Sequence, residues 1–205
     1  MVQTSLISDP KTLAIAFPKT LKLHITNDQF TKLAAANRDL QLERTAKGEL
    51  IVNPPTGWET GKRNRSIVGQ LDRWYEKHAE LGEAFESSTG FILPNSAIRS
   101  PDASWVSRER WNALTPEEKG TFAKICPDFV VELRSDSDSL KSLQDKMREY
   151  LENGAKLGWL IDPQQRKVEV YRSNSEVEVL DNPTEVSAAP LLPGSTLNFQ
   201  RIWSE

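Results

Sequence analysis

Cysteine is almost absent from this chain: of 205 residues, only Cys126 carries a thiol. A single thiol forms no intramolecular disulfide and supplies no cysteine-based zinc site, and it fits a reducing, cytoplasmic setting. Histidine is nearly as scarce. The two present, His24 and His78, fall far in sequence from the acidic residues discussed below, which sets histidine catalysis aside. A basic surplus is missing as well. The net charge of −3 speaks against tight, sequence-independent binding to a polyanion. No stretch approaches the roughly 20 apolar residues that span a bilayer, and no cationic segment with an apolar run of signal length opens the chain. A cytoplasmic protein with no membrane partner is the expectation. The sequence shows no internal repeat and no low-complexity segment.

Six Trp and seven Phe supply the aromatic mass for a core without metal or disulfide staples. Residues 1–20 show no period and read as an N-terminal arm, and 21–205 read as one domain. Thr26 and Gln29 form a capping box ahead of a helix with Phe30, Leu33 and Ala34 on one side, ending near Asn37. Leu40–Arg44 and Glu49–Val52 flank Ala46-Lys47-Gly48 as a hairpin. Ile67, Val68, Leu71, Trp74 and Tyr75 recur at helical spacing, predicting an amphipathic helix over about 60–79. Short strands are expected at 83–87, 91–93 and 102–106. A brief helix follows at 108–114, then a loop or turn at Thr115–Glu118. Asp128–Leu133 is nearly all apolar, as in a strand covered on both faces. A helix over Ser139–Asn153, closed by Gly154, precedes strands at 157–161, 167–172 and 176–180. The segment Ala189–Gly194 reads as irregular and packed on the surface. The order of elements gives an α/β fold: a central mixed β-sheet flanked by helices, with an N-terminal helix and β-hairpin.

Within these elements, acids stand where packing does not ask for them. Asp102 follows Pro101 at the start of one strand, and Glu132 lies inside Phe-Val-Val-Glu-Leu. Asp128 competes with Asp102 as the partner of Glu132. However, Asp128 and Glu132 sit four residues apart on one strand, roughly 13 Å, too far to share one ion bound at about 2.1 Å. Asp102 lies on a separate strand and can meet Glu132 across a ladder at about 5 Å. Two acids so placed, with a cation nearby, can hold a hard divalent metal, activate water and hydrolyse a phosphodiester. The structural alternative for Glu132 is a salt bridge to Arg134, two residues on and on the same face. Lys146 flanks the apolar stripe of its helix, where its stem can run along the core toward a cleft or snorkel to water. Lys62-Arg63-Asn64-Arg65 and Arg108/Arg110 are the basic clusters, each a candidate phosphate contact or a solvated surface.

These residues carry a resemblance. Asp102 with Glu132-Leu133-Arg134 resembles the PD-(D/E)xK pattern of restriction-endonuclease-like nucleases. Residues 25–175 more specifically resemble the Uma-type endonuclease family of bacteria. The matching stretches are Leu42-Glu43-Arg44 through Gly48–Ile51, Pro55-Thr56-Gly57, Thr60–Asn64, Ser100–Trp105, Pro127–Ser135, Lys146-Met147 with Tyr150, and Gly158–Pro163. The resemblance implies a restriction-endonuclease-like fold and a metal-dependent endonuclease acting on DNA, with Mg²⁺ or Mn²⁺ as cofactor and room for a homodimer. It implies Asp102 and Glu132 as metal ligands, the Leu133 carbonyl as a third, and Lys146 as the lysine of the site. The pattern's own lysine position is Arg134, which stays protonated and cannot act as a base. Asp136 stands where relatives often carry Pro. Glu43 matches an acidic position of the first hairpin that either completes the site or lies on the surface; Arg134 is the other accessory candidate. The competing readings are a nuclease-fold binding or regulatory module that cleaves nothing, and a hydrolase of another phosphoester.

Overall fold

The computed structural model describes residues 22–204; the expected arm over 1–20 lies outside them. The capping box forms as the sequence predicts. Thr26 accepts from the Gln29 amide at 3.2 Å while the Gln29 side chain accepts from the Thr26 amide at 2.8 Å, opening α1 (Asn27–Ala36). The hairpin follows as β1 (Gln41–Arg44) and β2 (Leu50–Asn53). Next come α2 (Trp58–Tyr75), β3 (Gly82–Glu86), β4 (Phe91–Ile92), β5 (Ile98–Arg99) and β6 (Ala103–Ser107). Two short helices, α3 (Arg108–Asn112) and α4 (Pro116–Lys119), lead to β7 (Phe129–Leu133), α5 (Leu140–Glu152), β8 (Leu157–Asp162), β9 (Lys167–Arg172) and β10 (Glu178–Asp181). The chain closes with β11 (Glu185–Ser187), β12 (Thr196–Asn198) and α6 (Gln200–Trp203).

The central sheet has the order β10-β9-β8-β7-β6-β3 and is antiparallel throughout except for β7 and β8, which run parallel. A parallel pair needs a crossover, and α5 provides it. The side chains of β7 alternate between two cores. Phe129, Val131 and Leu133 join Ile67, Leu71 and Trp74 of α2, while Val130 joins Met147 and Tyr150 of α5. Glu132 shares the parity of Val130, so it points to the α5 side. By the same rule Ala103 faces α2, which turns Asp102 toward α5.

A second sheet, β2-β1-β5-β4, packs its Leu42 and Ile98 against Phe30 of α1. Alternation then sends Glu43 and Arg99 out of its opposite face.

The structure departs from the sequence reading in several places. Thr115–Glu118 is not a loop, because a second capping box builds α4: Thr115 accepts from the Glu118 amide at 3.2 Å, and the Glu118 carboxylate accepts back from the Thr115 amide at 2.9 Å. The strand β5 had no signal, since two residues show no period. The segment 189–194 is irregular and runs over the surface, with Ala189, Pro190, Pro193 and Gly194 exposed, but one residue turns inward. Leu192 is fully buried with Phe199 and Ile202 in the α2-side core, and the Pro193 carbonyl accepts from the Trp74 indole at 2.8 Å.

Candidate active site

Four elements deliver the candidate residues to one place. Asp102 immediately precedes β6, whose first residue pairs with Val131, so Asp102 falls beside Glu132 of β7. The Leu133 amide donates to Oδ2 of Asp102 at 2.8 Å, which locks that carboxylate against the end of β7. Lys146 reaches in from α5, and its ammonium lies 2.8 Å from Oε1 of both Glu132 and Glu43. Glu43 arrives from β1. It is buried rather than on the surface, and it also accepts from the Ser100 amide at 3.0 Å and from Arg99 at 3.1 Å.

Asp102, Glu132, Lys146, Glu43 and Leu133 all line one cleft of about 740 Å³ between the two sheets. Pro54–Gly57 and Asp136 line it too.

The electrostatics follow from burial. Glu43, Asp102, Glu132 and Glu149 surround only two cations, Arg99 and Lys146, an excess of two negative charges. Burial is the leading cause that pushes Asp102 up to about 6, against the opposing pull of the Leu133 amide and Lys146. Burial likewise raises Glu132 to about 7, with the neighbouring Asp102 and Glu43 adding to it and Lys146 opposing. Burial works against the charge of Lys146, but Glu132 and Glu43 outweigh it and hold the ammonium above its ordinary range. Glu43 sits below its ordinary value because Lys146 and Arg99 overcome its desolvation.

The remaining candidates go elsewhere. Arg134 does not pair with Glu132; it reaches Asp162 at 2.8 Å, the other acid of the two buried parallel strands. Asp128 is fully buried between Arg110 at 3.1 Å and Lys156 at 2.9 Å, and it accepts from the Ser107 amide at 2.9 Å. Arg108 pairs with Glu83 at 2.6 Å, Lys62 with Glu59 at 2.8 Å, and Arg63 donates to the Ile202 carbonyl at 3.0 Å. None of these basic residues lines the cleft. His78 stacks on Trp74, and His24 bridges to Glu49 in the hairpin.

Sequence reasoning missed three residues here. Tyr150 donates to Oε1 of Glu132 at 2.9 Å, although its spacing shows only a core position. Arg99 and Glu149 pair at 2.6 Å beside Glu43. Their one signal is an arginine next to the Ser-Pro-Asp run, too common to single out.

A family model described as "Uma2: Putative restriction endonuclease" matches residues 27–200, nearly the whole described chain. The chain belongs to the Uma2 family. Five solved chains are similar to it. One, from Anabaena variabilis, is titled a "putative nuclease belonging to DUF820"; it is 26% identical, aligns over 87% of this chain and 97% of its own, and superposes with a TM-score of 0.72. No curated protein matches. The mixed central sheet flanked by helices is thus the restriction-endonuclease-like fold of the Uma2 family, and family and neighbour together support a nuclease-type function. Among the described residues no helix is long and apolar enough to cross a membrane.

Proposed function

We propose that this Uma2 protein is a metal-dependent endonuclease that hydrolyses DNA phosphodiester bonds, with Asp102 and Glu132 as metal ligands and Lys146 as the catalytic lysine. The observation that carries the reading is the convergence of these three side chains, from a strand entry, a central strand and a crossover helix, on one cleft with surplus negative charge.

A divalent cation, Mg²⁺ or Mn²⁺, fits this donor chemistry. Hard cations take carboxylate and carbonyl oxygens, and the carboxylates lining this cleft outnumber its cations Arg99 and Lys146. Among the described residues no hydrogen bond reaches Oδ1 of Asp102 or Oε2 of Glu132, so each acid keeps one oxygen for a ligand. No three Asp, Glu, His or Cys side chains converge as a ready cage among the described residues. The residues that would hold the cation are therefore Asp102 and Glu132, with the Leu133 carbonyl as the third ligand that the resemblance implies and water for the rest. When bound, the cation supplies Lewis-acid chemistry, polarising a phosphate and acidifying a water.

The chain's own residues do the rest. The Leu133 amide fixes the rotamer of Asp102. Tyr150 and Lys146 occupy Oε1 of Glu132 and so orient its other oxygen. Lys146, held fully protonated, orients the attacking water and stabilises charge that develops on the phosphoryl oxygens. Glu43 shares the lysine and keeps it at the cleft wall. Arg134, tied to Asp162, takes no part.

One observation favours the alternative of a binding or regulatory module that cleaves nothing. Glu49, Asp136, Asp138 and Asp145 also line the cleft, and such a wall repels a polyanion. Incubating supercoiled plasmid with the protein and Mg²⁺ or Mn²⁺, beside Glu132→Gln and Lys146→Met, separates the two. Cleavage by the wild type alone is expected. No cleavage with either metal, or equal cleavage by Glu132→Gln, would sink the nuclease reading.

A further inference from the structure

Lys146 is shared between two carboxylates, and the sharing has a cause outside the metal-binding set. Glu43 and Arg99 leave the same face of the second sheet. The register Arg44↔Ile98 between antiparallel β1 and β5 places Glu43 directly opposite Arg99. Their side chains meet at 3.1 Å, and Nε of Arg99 turns the other way to Glu149 of α5 at 2.6 Å. Glu149 is held in turn by the Asn95 side-chain amide at 3.0 Å. Arg99 is thus a two-pronged fork joining the second sheet to the helix that carries Lys146, and it is nearly buried, at 9% exposed. Lysine could not repeat this geometry, because a point charge lacks two divergent donors.

We propose that Arg99, anchored by Glu149, is a positioning residue that divides Lys146 between Glu43 and Glu132. A buried carboxylate draws whatever cation it can reach. Glu43 has two, and the share that Arg99 takes leaves the ammonium free to stand 2.8 Å from Glu132 as well. Without Arg99, Glu43 holds Lys146 as its sole cation and pulls it off Glu132 toward the second sheet. The lysine then stays charged and buried but stands in the wrong place for a phosphate bound beside Asp102.

The catalytic consequence rests on the nuclease reading above; the displacement of Lys146 does not. The test takes Arg99→Met, Arg99→Lys and Glu149→Gln in the full chain, with crystal structures of the metal-free variants and steady-state plasmid cleavage. Arg99→Met is expected to keep Lys146 on Glu43 and lose its contact to Glu132, and to lower kcat about 10-fold or more with KM unchanged. Arg99→Lys recovers part of kcat. Glu149→Gln, which keeps the side-chain shape, shows the same kcat loss in smaller degree and covers the case in which Arg99→Met does not fold. Both 2.8 Å contacts of Lys146 surviving in Arg99→Met, or in Glu149→Gln where only that variant folds, would overturn the proposal. So would a change confined to KM. An inactive wild type would overturn the nuclease reading alone, and the crystallographic contacts of Lys146 would still decide the positioning role.

Discussion

The ammonium of Lys146 stands 2.8 Å from Oε1 of Glu132, an ion pair made across a parallel strand and its own crossover helix, with both side chains almost wholly out of water. Removing one partner of a buried pair leaves the other uncompensated, which costs about 3–5 kcal/mol. Lys146→Met leaves Glu132 without a cation and Glu43 with Arg99 alone. We expect the metal-free variant to lose about 3 kcal/mol in urea unfolding, and plasmid cleavage to fall by a factor of about 10²–10³ in kcat. A variant as stable as the wild type would mean that the ion pair contributes nothing to the fold.

The raised carboxylates set a pH dependence whose sign is fixed. Asp102, at about 6 in the folded protein against an ordinary 3.8, and Glu132, at about 7 against 4.5, bind protons more tightly folded than unfolded. The folded state then carries more protons across this range, so stability of the metal-free protein falls as pH rises from about 4.5 to 7.5. Over this window the loss is on the order of 2 kcal/mol for Asp102 and about 3 kcal/mol for Glu132. Glu43 and Asp128 are shifted downward and act only at lower pH, so they leave this window clear. Urea unfolding in chelator at pH 5 and pH 7.5 measures the slope, and Asp102→Asn should flatten it. A wild-type protein most stable at pH 7.5 in chelator contradicts the assignment.

Metal affinity runs in the opposite direction. A cation competes with protons for Asp102 and Glu132, so Mg²⁺ should bind better once both are ionised. The rise in Tm at a fixed Mg²⁺ excess is expected to be larger at pH 7.5 than at pH 5.5, and to vanish in Glu132→Gln. Equal shifts at both pH values, or in the variant, would place the cation elsewhere on the chain.

Arg134 occupies the lysine position of the sequence pattern, yet it is bound to Asp162 at 2.8 Å. Arg134→Ala should therefore cost stability, about 2 kcal/mol, because Asp162 keeps the Gln164 and Gln165 amides as partners after losing the guanidinium. The kcat of plasmid cleavage should stay within about twofold of wild type. A hundredfold loss of kcat in a folded Arg134→Ala protein would return the basic role to this position.

Much of this was legible in the sequence because it rested on period. The 3.6-residue spacing of Ile67, Leu71 and Trp74 marked α2, and Phe-Val-Val-Glu-Leu marked a doubly covered strand with one acid out of place. The separate strands of Asp102 and Glu132 were legible too, and the pairing Ala103↔Val131 sets the two acids side by side. Arg99 and Glu149 were not legible, since their meaning depends on the register between β1 and β5, which two-residue pairing does not announce. The inward turn of Leu192 was not legible for a related reason. Prolines and a glycine around it signal an irregular path, but not that the path crosses an open core face.

Tyr150 illustrates how a core position can conceal a polar task. Its ring is fully buried among Met147, Val130 and Leu160, as the helical stripe requires, while its hydroxyl donates to Oε1 of Glu132 at 2.9 Å. The same oxygen receives Lys146, so the two donors together hold that oxygen of the carboxylate and leave the other for a ligand. Tyr150→Phe preserves the packing and deletes one donor. A hydrogen bond to a charged group contributes about 1.5–3 kcal/mol, and Lys146 retains part of the satisfaction, so a loss near the lower figure is expected in urea unfolding. With Glu132 freer to rotate, kcat should fall about 10-fold while KM for plasmid holds, and the Mg²⁺-induced rise in Tm should shrink. Tyr150→Phe matching the wild type in all three measurements would show that Lys146 alone orients Glu132.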